Sequence, residues 1–109
     1  MGKTRNTHHL VTGAAKTLVI DLEQNDLPLV IPNGTNVRAV VRGVGMPPVV
    51  CLSSTPGADW SVGKVAIPFS SSHTALCAST KNARIEIKVE GVNTFFADIE
   101  IESGEIPDV

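Results

Sequence analysis

The sequence predicts a small all-β domain, an antiparallel sandwich or barrel of about seven short strands. Three observations carry that prediction. Apolar residues recur with a period of two almost throughout. Turn-forming clusters interrupt the runs at intervals of about ten residues. Hydrophobic residues make up 42% of the chain, while charged residues make up only 18%, a balance that favours a packed core over disorder. At 109 residues the chain is expected to hold one domain with enough core to fold without staples.

Residues 1–16 show no clear period and read as an extended N-terminal arm, leaving 17–109 as the β-domain. Residues 17–22 form the first β-rich run, and Glu23-Gln24-Asn25-Asp26 forms a polar turn. Residues 29–31 follow, flanked by Pro28 and Pro32, each of which removes a ladder donor and points to a sheet edge. Pro32-Asn33-Gly34-Thr35 reads as a tight turn. Residues 36–42 alternate Val37, Ala39 and Val41 against Arg38 and Arg42. Residues 43–48 are a Gly- and Pro-rich loop, 49–52 a short strand, and 53–63 a second loop that carries Trp60. Lys64–Phe69 is the next strand. Residues 70–76 make the one plausible helical turn, with a serine as N-cap.

The clearest pattern is a C-terminal hairpin. Ala83, Ile85, Ile87 and Val89 alternate with polar residues, and Phe95, Ala97, Ile99 and Ile101 do the same. Both apolar sets are odd-numbered, so an odd-length loop is needed to put them on one face. A loop of Gly91-Val92-Asn93 would pair Val89 with Phe95 and Ile85 with Ile99, with Asn93 in the left-handed conformation.

Net charge is only −2, which lacks the basic excess of a dedicated nucleic-acid binder. No apolar stretch is long enough to span a membrane as a helix, and no apolar leader segment opens the chain. Charge is unevenly placed, however. Residues 1–16 carry Lys3, Arg5 and Lys16, together with His8 and His9, and no acid. Residues 98–109 carry Asp98, Glu100, Glu102, Glu105 and Asp108 and no base. Basic head and acidic tail are expected to attract, within a chain or between copies. Lys3, Arg5, His8, His9, Lys16, Glu100, Glu102, Glu105 and Asp108 are therefore the candidate assembly residues.

No catalytic, cofactor or metal site is expected. Cys51 and Cys77 read as buried free thiols. His8 and His9 are adjacent and point to opposite faces of a strand, and His73 has no ligand partner at metal spacing. Ser70–Ser72 beside His73 lack the strand–turn–helix setting of a nucleophile elbow and read as a capped turn. Glu86, Glu90, Asp98, Glu100 and Glu102 interleave with Arg84 and Lys88 as a solvated charge lattice rather than a desolvated acid pair. Gly43-Val44-Gly45 precedes prolines, not a helix N-terminus, so it is no phosphate cradle. Asn33-Gly34-Thr35 matches the glycosylation acceptor pattern, which matters only in a secreted eukaryotic protein. Base stacking finds no support, since Tyr is absent and Phe69, Phe95, Phe96 and Trp60 lie apart from the basic residues in sequence.

From Lys16 to about Ile106 the chain resembles the small immunoglobulin-like domains of tailed-phage virion proteins, such as the N-terminal domain of the baseplate upper protein family. The resemblance rests on the two β runs around Gln24-Asn25-Asp26 and on the strand ending at Arg42. It rests also on Gly63-Lys64-Val65-Ala66-Ile67-Pro68-Phe69-Ser70 followed by Thr74-Ala75-Leu76, and on the closing hairpin. Asn25 stands where that pattern has glycine, and the family's large C-terminal part has no counterpart here.

The resemblance implies an immunoglobulin-like antiparallel β-sandwich and a bacteriophage structural protein, a tail, baseplate or adaptor component. Such a protein is assembled in the host bacterial cytoplasm and resides in the virion. Its implied partners are other virion proteins, whether tail, baseplate or capsid subunits, and further copies of itself as a homo-oligomer. Neither nucleic acid nor membrane is an expected partner. Capsid decoration is the nearest alternative. A small carbohydrate-binding module is the second, with Trp60 as the single indole able to stack a sugar.

Overall fold

The computed structural model describes residues 8–102. Among these, 52% lie in strands and 7% in helical turns, so the fold is all-β. Nine strands are formed: β1 (His8–Val11), β2 (Lys16–Asp21), β3 (Glu23–Gln24), β4 (Leu27–Pro28), β5 (Val37–Val41), β6 (Val49–Cys51), β7 (Lys64–Phe69), β8 (Thr80–Val89) and β9 (Asn93–Glu102). That exceeds the seven expected because β1 was read as arm and the polar turn lies in a miniature hairpin, β3–β4, while the run expected at 29–31 forms no strand and is held instead by contacts such as Ile31 N–H to the Trp60 carbonyl.

A five-stranded sheet in the order β1-β9-β8-β5-β6 forms the main layer. Strands β2 and β7 form a two-stranded antiparallel ribbon, and β3 and β4 a second, smaller one. The five-to-two division of the larger sheets differs from the four-and-three division of an immunoglobulin constant-type sandwich. One core joins the layers, built from Leu18, Ile20, Val65, Ile67 and Phe69 of the ribbon and Val37, Ile85, Ile87, Val89, Ile99 and Ile101 of the main sheet.

Local chemistry explains the turns. Asn25 and Asp26 sit at φ 57° and 65°, both left-handed, and close the β3–β4 hairpin as a two-residue turn. Two consecutive positive φ values match the twist of a tight hairpin, and short polar side chains tolerate them best after glycine. Gly63, at φ 75°, ends a 3-10 turn over Trp60–Val62. Its carbonyl accepts the Leu22 N–H at 2.8 Å, and a Cβ here would strike the Leu22 carbonyl oxygen. Ser70 caps the α-helical turn Ser71–Thr74, as the sequence predicts.

Two further expectations need correction. Of the segment read as an arm, residues 8–16 are part of the domain, and the rest lies outside the described residues. His8–Val11 run parallel to β9 with Leu10 beside Ile101, and Leu10 is completely buried. Thr12 and Ala14 continue the attachment: the Thr12 hydroxyl donates to the Cys77 carbonyl at 2.8 Å, and the Thr74 hydroxyl donates to the Ala14 carbonyl at 2.9 Å. A single buried leucine and a row of parallel ladder bonds suffice to dock a short strand that lacks any apolar period. Lys16 then begins β2.

The C-terminal hairpin keeps a three-residue loop but turns one residue earlier than expected, which shifts the register by two. Val89 pairs with Asn93, Ile87 with Phe95 and Ile85 with Ala97, and the loop is Glu90-Gly91-Val92. Parity is unchanged, so both apolar sets still face the core. Gly91 at φ 81° takes the left-handed position assigned to Asn93. Glycine adopts that conformation without the Cβ penalty, which decides the register.

Candidate functional site

Alternation fixes what the main sheet shows to solvent. On β5 the outward residues are Arg38 and Val40, with Arg42 just past its end. Arg84, Glu86 and Lys88 face outward on β8, and Thr94, Phe96, Asp98, Glu100 and Glu102 on β9. Register sets their neighbours. Arg38 lies opposite Lys88, Val40 opposite Glu86, Glu86 opposite Phe96, and Arg84 opposite Asp98.

Phe96 sits near the centre of this face and is 46% exposed. Arg42 and Arg84 both place their guanidinium groups over its ring, at 5.5 and 5.8 Å from the centroid. Each arginine also reaches a carboxylate, Arg42 to Glu86 at 3.7 Å and Arg84 to Asp98 at 3.4 Å. All four charged side chains are more than a third exposed, so these ion pairs hold the arginines over the ring more than they stabilise the fold. Separation in sequence hid this cluster: Phe96 does not lie apart from basic residues. Cross-strand register brings it between two of them.

His9 leads to a second, acidic group. Its Nδ1 lies 3.6 Å from Glu100 and 3.3 Å from Glu102, at ion-pair range yet without the alignment of a hydrogen bond. Three of the candidate assembly residues, His9, Glu100 and Glu102, therefore lie together within one chain. His8 points the other way, as adjacent strand residues must, and lies partly buried. Burial holds its pKa below the usual 6.5, with Lys16 and His9 adding to the effect and Asp21 opposing it. Lys16 is exposed on the β2–β7 ribbon and does not join the acidic group. Lys3, Arg5, Glu105 and Asp108 lie outside the described residues.

The other residues considered for chemistry have structural roles. Ser70 and His73 form a capping box: the Ser70 N–H donates to His73 Nδ1 at 3.0 Å, and the His73 N–H donates to Ser70 Oγ at 3.2 Å. Nδ1 is therefore an acceptor, occupied in holding the turn. Cys51 and Cys77 are free and buried, and burial pushes the Cys51 thiol up to about 12 and raises Cys77 as well. Neither is a poised thiolate. Trp60 is core rather than platform, at 4% exposure, which removes the surface a sugar ring would stack on. Among the described residues no three His, Cys, Asp or Glu side chains cluster as a metal site, and no helix is long and apolar enough to cross a membrane.

Compared with known proteins, the chain matches no family model, no curated protein and no solved structure.

Proposed function

We propose that this chain is a structural protein of a tailed-phage virion, a tail, baseplate or adaptor component that works by protein–protein assembly. The observation that carries the assembly part is Phe96, exposed on a sheet face between Arg42 and Arg84. A solvated sheet face needs only polar residues. Aromatic and arginine side chains are the types that concentrate where interfaces bury their binding energy. The virion setting rests on the resemblance of Gly63–Ser70, Thr74–Leu76 and the closing hairpin to tailed-phage domains. Capsid decoration would use the same face and differs only in the particle that receives it.

The test is fractionation of particles from host cells that express the chain. Immunoblotting gradient-purified virions, and separated tails and capsids, should find the protein with tails or baseplates. Phe96→Ser should reduce that association while leaving the purified domain folded, because the ring contributes little to the core. Recovery with capsids alone would replace the tail assignment with decoration. Absence from every particle fraction would overturn the reading.

A further inference from the structure

We infer that the outer face of the main sheet pairs two copies of this chain about a twofold axis near Phe96. In that pairing Arg38 and Lys88 of one copy meet Glu100 and Glu102 of the other. The inference rests on the assembly reading and adds the partner and the geometry of the contact.

Arg38 and Lys88 are direct cross-strand partners on the outward face. Like charges so placed work against the sheet. Neither makes an ion pair among the described residues. The neighbouring carboxylates are already engaged: Glu86 lies 3.7 Å from Arg42, and Glu90 accepts from Asn36 Nδ2 at 3.0 Å. The opposite situation holds at the far end of β9. Glu100 and Glu102 project from the same face, and His9 is the one group at ion-pair distance among the described residues. Lys81 lines the same hollow as these two carboxylates without forming an ion pair with them.

The two clusters cannot neutralise each other within one chain. Lys88 stands opposite Thr94, eight positions along β9 from Glu102. At about 3.3 Å per residue that separation is roughly 26 Å, against a screening length of about 8 Å. A second copy laid face to face and antiparallel brings each basic cluster over an acidic one, twice per contact. Phe96, Arg84 and Asp98 fall between the clusters and so near the axis, where an exposed aromatic is most fully desolvated.

The face is also broad. Strand β9 has ten residues, about 33 Å, and five strands at about 4.8 Å spacing give a width of about 19 Å. Strands β1, β5 and β6 are shorter, at four, five and three residues, so the flat area is on the order of 500 Å² before side-chain relief, against about 800 Å² per partner of a standard interface. Closed twofold pairs are also the commonest homo-oligomers.

Charge reversal with mixing provides the test. Two full-length variants are made, Arg38→Glu/Lys88→Glu and Glu100→Lys/Glu102→Lys, each checked for a native circular dichroism spectrum. Sedimentation at low salt should show the wild type as a dimer that dissociates as salt is added. Each variant alone should dimerise at least about tenfold more weakly. Mixed in equal amounts they should pair again, because reversed basic and reversed acidic clusters are complementary. If the second variant fails to fold, Glu100→Gln/Glu102→Gln keeps the shape and should still weaken dimers. A wild type that is monomeric at low salt, a variant that dimerises like wild type, or a mixture that stays monomeric would overturn the inference. A monomer that still sediments with particles would overturn this contact and leave the virion reading standing.

Discussion

Leu10 lies beside Ile101 in a parallel register, and that pairing turns the N-terminal segment into part of the fold. Every other neighbour in the main sheet is antiparallel. The leucine is wholly buried among residues of both layers, while the adjacent His9 faces Glu100 and Glu102 outside. One residue supplies packing, and the next sets its imidazole at ion-pair distance from two carboxylates.

Leu10→Ala should therefore cost about 2–5 kcal/mol, the range for truncating a buried leucine. Deleting residues 1–11 should lower the thermal midpoint further, since the ladder bonds to β9 go as well. Denaturant titration of the two proteins checks both. An unchanged midpoint after deletion would restore the view of this segment as a dispensable arm.

His8 should make stability depend on pH. Burial, the largest effect, holds its folded pKa below 6.5, so the unfolded chain takes up a proton first as pH falls. Stability is then complete above that ordinary value and declines as pH drops toward the folded one. His8→Gln should flatten the midpoint-against-pH curve in this window relative to wild type. Parallel curves for the two proteins would contradict the assignment.

Gly63 tests backbone geometry. Its φ of 75° already disfavours a side chain, and a Cβ would also press on Leu22 and Leu29 backbone atoms. Gly63→Ala should cost at least about 2 kcal/mol, combining left-handed strain with displacement of the β3–β4 hairpin. Gly34→Ala provides the contrast, with φ 90° but open space around the new atom, and should cost only the conformational part. Equal midpoints for the two would refute the clash.

These residues also show what the sequence could and could not convey. Lys64–Phe69 was legible because strand composition and bounding turns agree there, and the Ser70 cap because the residue type is specific to its role. Parity placed Ile85, Ile87, Ile99 and Ile101 correctly on the core face. It could not choose between two odd loops of equal length, a choice made by the left-handed conformation of Gly91. Strand β1 was invisible because His8-His9-Leu10-Val11 has no alternation and its partner is about ninety residues away. His9 stands beside Glu100 and Glu102 because β1 runs parallel to β9, a register that the uneven charge distribution does not carry. The Phe96 cluster depended on register across β8 and β9, which sequence spacing does not carry.

Cys51 and Cys77 should behave as inert core residues. With the Cys51 thiol pushed up to about 12, almost none is thiolate at neutral pH, and its burial keeps reagents out. Iodoacetamide should leave both unmodified in the native protein and label both in denaturant, as counted by intact mass. Rapid native labelling of either would show that its side of the core opens.

Lys88→Glu should stabilise the isolated domain. The substitution replaces a like-charge pair with an opposite-charge pair across β5 and β8, directly opposite Arg38. Opposed charges at such positions are favourable by about 0.2–1 kcal/mol, and like charges are unfavourable by a similar amount. Lys88 is exposed and Arg38 only partly covered, so solvent screening places the gain at the lower end of that range. Glu86 and Glu90 flank position 88 on the same face and offset part of it, although each already has a partner in Arg42 or Asn36. Adding salt should shrink the difference between variant and wild type. Urea midpoints at low and high ionic strength, read at a protein concentration low enough to keep both monomeric, measure the effect. A destabilised variant at low salt would mean that Lys88 already has a favourable partner on its own chain, and the charge conflict with Arg38 would no longer describe this face.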